Sequence, residues 1–254
     1  MEIQPSLHKL SVIIPARNEA HCIDSTVRHL YVELSIHQIP HEIVVVDDGS
    51  SDKTNIILDR IRNSVPTLNL LKNNGLHGFA PAIIYGLDRM TGDAAVIMMA
   101  DESDDSRDVV KYWIELNKGV DCVFGSRFIK GGVLVDYPWP KYILNRLGNK
   151  LIQILFGIKL NDITNAFKAY RKDVLDNCRP FVSRQFNLTV ELPLKAILKG
   201  YQWTVIPISW KNRKGGLAKF KIHEMGSRYF FIILYVWLEY FLCRADFKLK
   251  EKSI

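Results

Sequence analysis

Apolar residues collect in short runs at positions 10–14, 42–47, 68–72, 94–100 and 121–125, rich in Val, Ile and Leu and separated by helix-length stretches at 23–35, 53–63, 78–89 and 106–117. Strands that alternate with helices in this way predict a mostly parallel sheet covered by helices on both faces. Near-continuous apolar strands fit such a sheet, because both faces of each strand are buried. A polar cluster follows three of the runs directly: residues 15–19 after the first, 47–52 after the second and 101–105 after the fourth. Ligands of an open α/β sheet bind beyond the carboxyl ends of its strands, so these clusters are where chemistry is expected.

Composition narrows the class. With 254 residues, 48% hydrophobic and 24% charged, the chain can bury a full core, which excludes a disordered or disulfide-stapled protein. Its four cysteines, Cys22, Cys122, Cys178 and Cys243, form no C-x-x-C pair, which argues against a zinc site and fits a reducing, cytoplasmic compartment. The net charge of +7 hides a division. Residues 1–120 carry 11 Lys/Arg against 17 Asp/Glu, net −6, whereas residues 121–254 carry 23 against 10, net +13. A basic half suits a phosphorylated substrate, an anionic membrane or a nucleic acid, but no nucleic-acid-binding motif supports the last. Neither a P-loop nor a G-x-G-x-x-G fingerprint is present; Gly75 and Gly78 in Asn-Gly-Leu-His-Gly can shape a phosphate-facing turn, but alone they are a weak signal and an ordinary loop is the preferred reading.

Residues 229–243 are apolar except for Glu239. As a helix they reach about 22 Å, short of the roughly 30 Å hydrocarbon core, so a bilayer span is not expected. Two readings remain: a helix packed in the domain or at a subunit contact, and one lying in a membrane interface. Aromatics at both ends and the basic flanks Arg228 and 244–252 favour the membrane. The chain thus divides into a catalytic-type domain over 1–222 and a C-terminal helix with a basic tail over 223–254. Nothing in the sequence fixes an oligomeric state.

The acidic clusters, Asp47/Asp48 and Asp101/Glu102/Asp104/Asp105, can cap helices, hold a hard divalent cation, or accept hydrogen bonds from a ribose and base. One helix needs only one cap, and four carboxylates within five residues repel one another unless a cation or a basic partner lies among them.

The stretches Ser-Val-Ile-Ile-Pro-Ala-Arg-Asn-Glu (11–19), Ile-Val-Val-Val-Asp-Asp-Gly-Ser-Ser-Asp (43–52) and Gly-Ser-Arg (125–127) resemble the inverting family 2 glycosyltransferases, whose fold is the Rossmann-like GT-A fold. Residues 160–171, Glu191 in Val-Glu-Leu-Pro-Leu-Lys-Ala, and 213–219 resemble that family's dolichyl- or polyprenyl-phosphate mannosyl/glucosyltransferase branch. The resemblance implies transfer of a hexose from a nucleotide sugar, GDP-mannose or UDP-glucose, to a polyprenyl phosphate by a protein peripheral on the cytosolic membrane face.

It also implies roles for individual residues. Pro15, Ala16, Glu19, Val46 and Asp48 match positions that hold the nucleotide; Asp101 matches the second aspartate of the D-x-D element that binds Mg2+ or Mn2+. The first aspartate is Met99 here, so Glu102 or Asp104 is expected to supply a further oxygen. Arg127, Arg146, Arg213 and Lys219 match basic residues near the phosphates, and Ala218 replaces a serine usual before that lysine. Asp162 and Glu191 are the carboxylates that would take a proton if the acceptor were a sugar hydroxyl. Two alternatives stand beside the lipid acceptor: a soluble transferase that extends a glycan, and an inactive nucleotide-sugar-binding homologue.

Overall fold

The computed structural model describes residues 6–212 and 222–243. Its strands are β1 (Leu10–Ala16), β2 (His41–Asp47), β3 (Leu68–Lys72), β4 (Ala94–Ile97), β5 (Cys122–Ser126), β6 (Val133–Val135), β7 (Lys168–Arg171), β8 (Trp203–Pro207) and β9 (Ser209–Lys211). The helices are α1 (Ile23–Ile36), α2 (Thr54–Ile61), α3 (Phe79–Leu87), α4 (Ser106–Asn117), α5 (Trp139–Phe156), α6 (Lys172–Asn177), α7 (Leu188–Leu198) and α8 (Ile222–Leu242). Seven strands form one sheet in the order β3-β2-β1-β4-β7-β5-β8, while β6 and β9 pair in a small second sheet. All neighbours in the large sheet are parallel except β7, which runs antiparallel to both β4 and β5. The mostly parallel α/β architecture expected from the sequence is therefore the one observed.

Alternation along the strands builds two cores. Leu10, Val12 and Ile14 of β1 face α1, α2 and α4, where they meet Leu30, Leu58 and Val109. Ile13 points the other way, into a cluster with Ile83 of α3, Leu194 of α7 and Val236 of α8. Two residues apart on a strand means the same face, so each strand feeds both layers. Gly86 lets α3 lie close to the sheet: a Cβ there would come within 2.8 Å of Ile13 Cγ2 and 3.0 Å of Val46 Cγ2.

One boundary differs from the expected one. The run at 94–100 is a strand only as far as Ile97, and beyond it the Asp104 carboxylate accepts the Met99 N–H at 3.0 Å. Near the end of the sheet, Ile208 separates β8, on the main sheet, from β9, on the small one.

Helix α8 has one side packed in the domain and one side exposed. Ile232, Ile233 and Val236 are buried in the core, and Glu239 faces Lys195 of α7 at 3.6 Å, whereas Phe230, Phe231, Leu234, Leu238 and Phe241 are exposed. Among the described residues no helix is long and apolar enough to cross a membrane.

Lys168 anchors the irregular segment between α5 and β7. Its ammonium is fully enclosed and donates to the carbonyl oxygens of Ile163, Asn165 and Thr189. Burial pulls its pKa down to about 7, against the attraction of Asp162. Lys168→Met keeps the bulk but strands three carbonyls. Unpaired buried acceptors cost about 1–3 kcal/mol each, so a clearly lower urea midpoint is expected, with little change in the slope of the transition.

Candidate active site at the strand ends

The ends of β1 and β2 form one polar platform. Pro15 pairs with Val46 and Ala16 with Asp47 in the sheet register, and the Asp48 N–H donates to Ala16 O at 2.8 Å. The loop after β1 is tied to the loop after β2: Asn18 N donates to Ser50 Oγ, Glu19 N to Thr54 Oγ1, and Ser51 N to Asn18 Oδ1. Thus Pro15, Ala16 and Glu19 adjoin Val46 and Asp48, 27 to 33 residues further along the sequence. Val46 offers only its backbone there, because its side chain is buried in the core beside α3.

Asp48 is held by the loop between β3 and α3. Its Oδ1 accepts from Asn73 Nδ2 at 2.7 Å and faces His77 Nδ1 at 3.0 Å, and its Oδ2 accepts the Gly78 N–H at 2.8 Å. Gly78 has φ +136°, and a Cβ there would meet the Arg184 carbonyl oxygen at 2.9 Å. The glycine permits both the backbone twist and the close approach. Asn73 and His77 are the site residues that reasoning from sequence missed; the signal was Asn-Gly-Leu-His-Gly after an apolar strand.

The loop after β4 carries the acidic cluster, one strand over from β1. Its carboxylates do not converge as expected. Asp105 caps α4 and grips Arg107, whereas Glu102, at φ +58°, points toward His29 of α1, 3.9 Å away. Asp104 is buried, with its Oδ2 on the Met99 N–H; burial pushes its pKa up to about 7, and the like charge of Asp101 adds to the rise. Asp101, half-buried, accepts the Ser103 N–H at 3.2 Å. A cavity of about 510 Å³ opens beside this loop, lined by Asp101, Glu102, Asp104, His29, Arg107 and Lys211 among others, with Pro15, Glu19, Asp48 and Arg127 outside its lining. A second donor cluster, Glu19, His21 and Cys22, lies behind the β1 end. Burial, helped by Glu19, pushes the Cys22 thiol up and keeps it protonated, which makes it a poor ligand for a hard cation.

Beyond β5, Arg127 and Asp162 form a two-pronged buried pair: Nε donates to Oδ2 at 2.8 Å, Nη2 to Oδ1 at 2.7 Å, and the Arg127 N–H adds a third bond to Oδ2. The guanidinium lies near the rings of Phe128, Tyr137 and Trp210, with centroids 5.3–5.9 Å away. Burial works against its charge, but Asp162 outweighs burial and holds the pKa above the ordinary arginine value. Asp162 is therefore spent on orienting Arg127. Glu191, fully buried in α7, accepts the N–H groups of Val182 and Ser183, each at 2.8 Å, and faces Lys195 at 3.2 Å. Both oxygens of each carboxylate thus accept from structural partners. Arg146 donates to the Asn161 carbonyl and stacks over Phe128. Arg213, Ala218 and Lys219 lie outside the described residues.

Removing one partner of a buried pair leaves an uncompensated charge, at a cost of about 3–5 kcal/mol. Asp162→Ala and Arg127→Ala are each expected to lose that much in urea unfolding. The double variant should lose markedly less than the two combined, because the pair acts as a unit.

Comparison with known proteins identifies the family. Residues 11–179 match the model of glycosyl transferase family 2. A polyprenol monophosphomannose synthase of Mycolicibacterium smegmatis is 28% identical over 243 residues, 89% of this chain and 89% of that protein. An undecaprenyl-phosphate mannosyltransferase of Micrococcus luteus is 28% identical over 218 residues, 83% of this chain and 87% of that protein. Among solved structures, glucosyl-3-phosphoglycerate synthase of Mycobacterium tuberculosis with Mn2+, UDP-glucose and phosphoglyceric acid superposes with a TM-score of 0.70 at 16% identity, covering 91% of this chain and 80% of that one. That similarity carries the fold. With the family model spanning 11–179, and the motifs at 11–19, 43–52 and 125–127 gathered at the carboxyl ends of β1, β2 and β5, this chain belongs to glycosyl transferase family 2.

Proposed function

We propose that the protein transfers a hexose, from GDP-mannose or UDP-glucose, to a polyprenyl phosphate with inversion, working from the membrane surface on the cytosolic side. The observation that carries this reading is the near full-length match to a polyprenol monophosphomannose synthase, in a chain whose β1 and β2 ends present Asp48 beside Pro15 and Glu19. An aspartate accepts from ribose hydroxyl and base N–H donors. Asp48 already accepts from Asn73 and Gly78, which fixes its orientation before any ligand arrives.

A divalent cation fits the loop after β4. The cluster is crowded enough that burial and Asp101 hold Asp104 toward its neutral form, and its donors are all oxygens, the set preferred by Mg2+ and Mn2+. Asp101 would hold the ion, with the donor diphosphate and water completing the shell; Glu102 and Asp104 are turned to other partners. Such an ion supplies charge neutralisation for the departing nucleoside diphosphate. Arg127, fixed by Asp162 and ringed by aromatics, keeps a permanent positive charge at the β5 end; Arg213 and Lys219 are proposed to meet the phosphates.

A phosphate monoester is already an anion near neutral pH, so it attacks the anomeric carbon without a protein base. Asp162 and Glu191 then need only their observed structural partners, and this favours the lipid phosphate over a sugar hydroxyl. Radiolabelled transfer from each donor to polyprenyl phosphate, read in extracted lipid, is the direct test. No labelled lipid from either donor would refute the reading.

Asp101→Ala is expected to lower transfer by roughly a thousandfold or more, since several kcal/mol of leaving-group stabilisation go with the ion. Full turnover in excess EDTA would remove the metal from the mechanism. The wild-type rate should change little with pH above about 6, the second pKa of a phosphate monoester. A rate that instead followed a carboxylate titration would point to a hydroxyl acceptor.

A further inference from the structure

Helix α5 is built inside out. Of its 18 residues only Asn149 and Ile152 are buried, and the inward side is largely polar: Asn149 Oδ1 accepts the Ile163 N–H at 2.6 Å, and Asn145 Nδ2 donates to Thr164 Oγ1 at 2.8 Å. The outward side is apolar. Trp139 is 69% exposed, Leu147 63% and Ile154 70%, with Ile143, Leu144, Leu151 and Leu155 also in solvent. At about 100° per residue these positions cover an arc of about 160°, with Lys150 inside one edge and Lys141 beyond the other. A helix on a water-facing surface has the opposite pattern.

Charge identifies what covers the arc. From 138 to 161 the chain contains Lys141, Arg146, Lys150 and Lys159 and no acidic residue. An apolar stripe bordered by cations, without one carboxylate, matches a bilayer surface of anionic headgroups above acyl chains. A chain of hydrogen bonds links α5 to α8: Asn145 of α5 reaches Thr164, whose carbonyl accepts from Thr189 Oγ1, and Tyr229 of α8 hydrogen-bonds Thr189.

We infer that the outer face of α5, from Trp139 to Leu155, docks on an anionic lipid bilayer, seating the protein with its Lys141 and Lys150 edges at the headgroups. This deepens the lipid-acceptor reading by naming the surface that meets the lipid, and it holds whichever donor sugar is used.

The test is sedimentation of the full chain with vesicles of phosphatidylcholine, alone or mixed with phosphatidylglycerol. Wild type should bind the mixed vesicles more tightly. The triple variant Leu147→Ser, Leu151→Ser, Ile154→Ser should bind at least about tenfold more weakly, since three apolar side chains leave the interface. Because all three are exposed, its thermal melt and its transfer rate to detergent-dispersed polyprenyl phosphate should match wild type. Lys141→Glu with Lys150→Glu, which leaves the apolar arc intact, should abolish the preference for phosphatidylglycerol. Undiminished binding by the triple variant, with release only by Phe231→Ser, Leu234→Ser and Leu238→Ser in α8, would overturn the inference. So would a wild-type dimer in sedimentation equilibrium that the triple variant dissolves, since the arc would then cover a second copy. Absence of transfer in detergent with vesicle binding intact would refute the lipid-acceptor reading and leave the docking surface standing.

Discussion

The buried pair of Arg127 and Asp162 is the joint on which the second half of the molecule hangs. It fastens the end of β5 to the segment 161–165, which has no regular structure of its own and so finds partners outside itself for both backbone and side chains. Those partners come from every side. Ser126 Oγ donates to Asn161 Oδ1, Asn149 accepts the Ile163 N–H, Lys168 takes the Ile163 and Asn165 carbonyls, and Asn165 donates to the Gly125 carbonyl. A charge buried to this degree is tolerated only when its counter-charge is fixed, and here the segment that fixes it is itself fixed by the helix and strand on either side. The inverted character of α5 follows: much of its inner face is polar because it must satisfy the amides of that segment, so apart from Ile152 and Phe156 its apolar residues lie mainly on the outside.

The first half of the fold was legible because each strand is an apolar run between turn signals, and parallel strands buried on both faces leave that mark strongly. Helix α4 lies over 106–117 as expected, and the strand runs at 10–14, 42–47 and 68–72 match β1, β2 and β3 to within two residues. The second half left fainter traces. Strand β7 is only four residues long and includes Lys168 and Arg171, so it does not read as an apolar run, although all four residues are buried. Helix α5 shows helical periodicity, but its apolar stripe faces away from the core, so assigning apolar residues to the interior misplaces it.

The candidate site divides the same way. Motif positions on β1 and β2 come together because sheet register pairs those strand ends, and the motif on β5 lies at the same edge of the sheet with β4 and β7 between, a consequence of fold class alone. The acidic loop was harder: composition alone does not show that Asp104 turns inward to the Met99 N–H while Glu102 turns toward α1. Asn73 and His77 escaped notice because their role is to hold Asp48, which becomes visible only when the β3–α3 loop is seen folded over the end of β2.

Lys195 reaches Glu191 within α7, Glu239 on α8 and the carbonyl of Pro180, and only 3% of its side chain is exposed. Swinging α8 away from the body would take Glu239 from that ammonium and empty the pocket of Ile232 and Val236. Over its described residues the helix is therefore a keel fixed to α7. Any surface that captures its outer face captures the whole α/β body at one tilt. The height of the strand ends above that surface is then set by the packing of α7 against α8, and a substrate confined to the surface would meet the site through lateral diffusion in two dimensions.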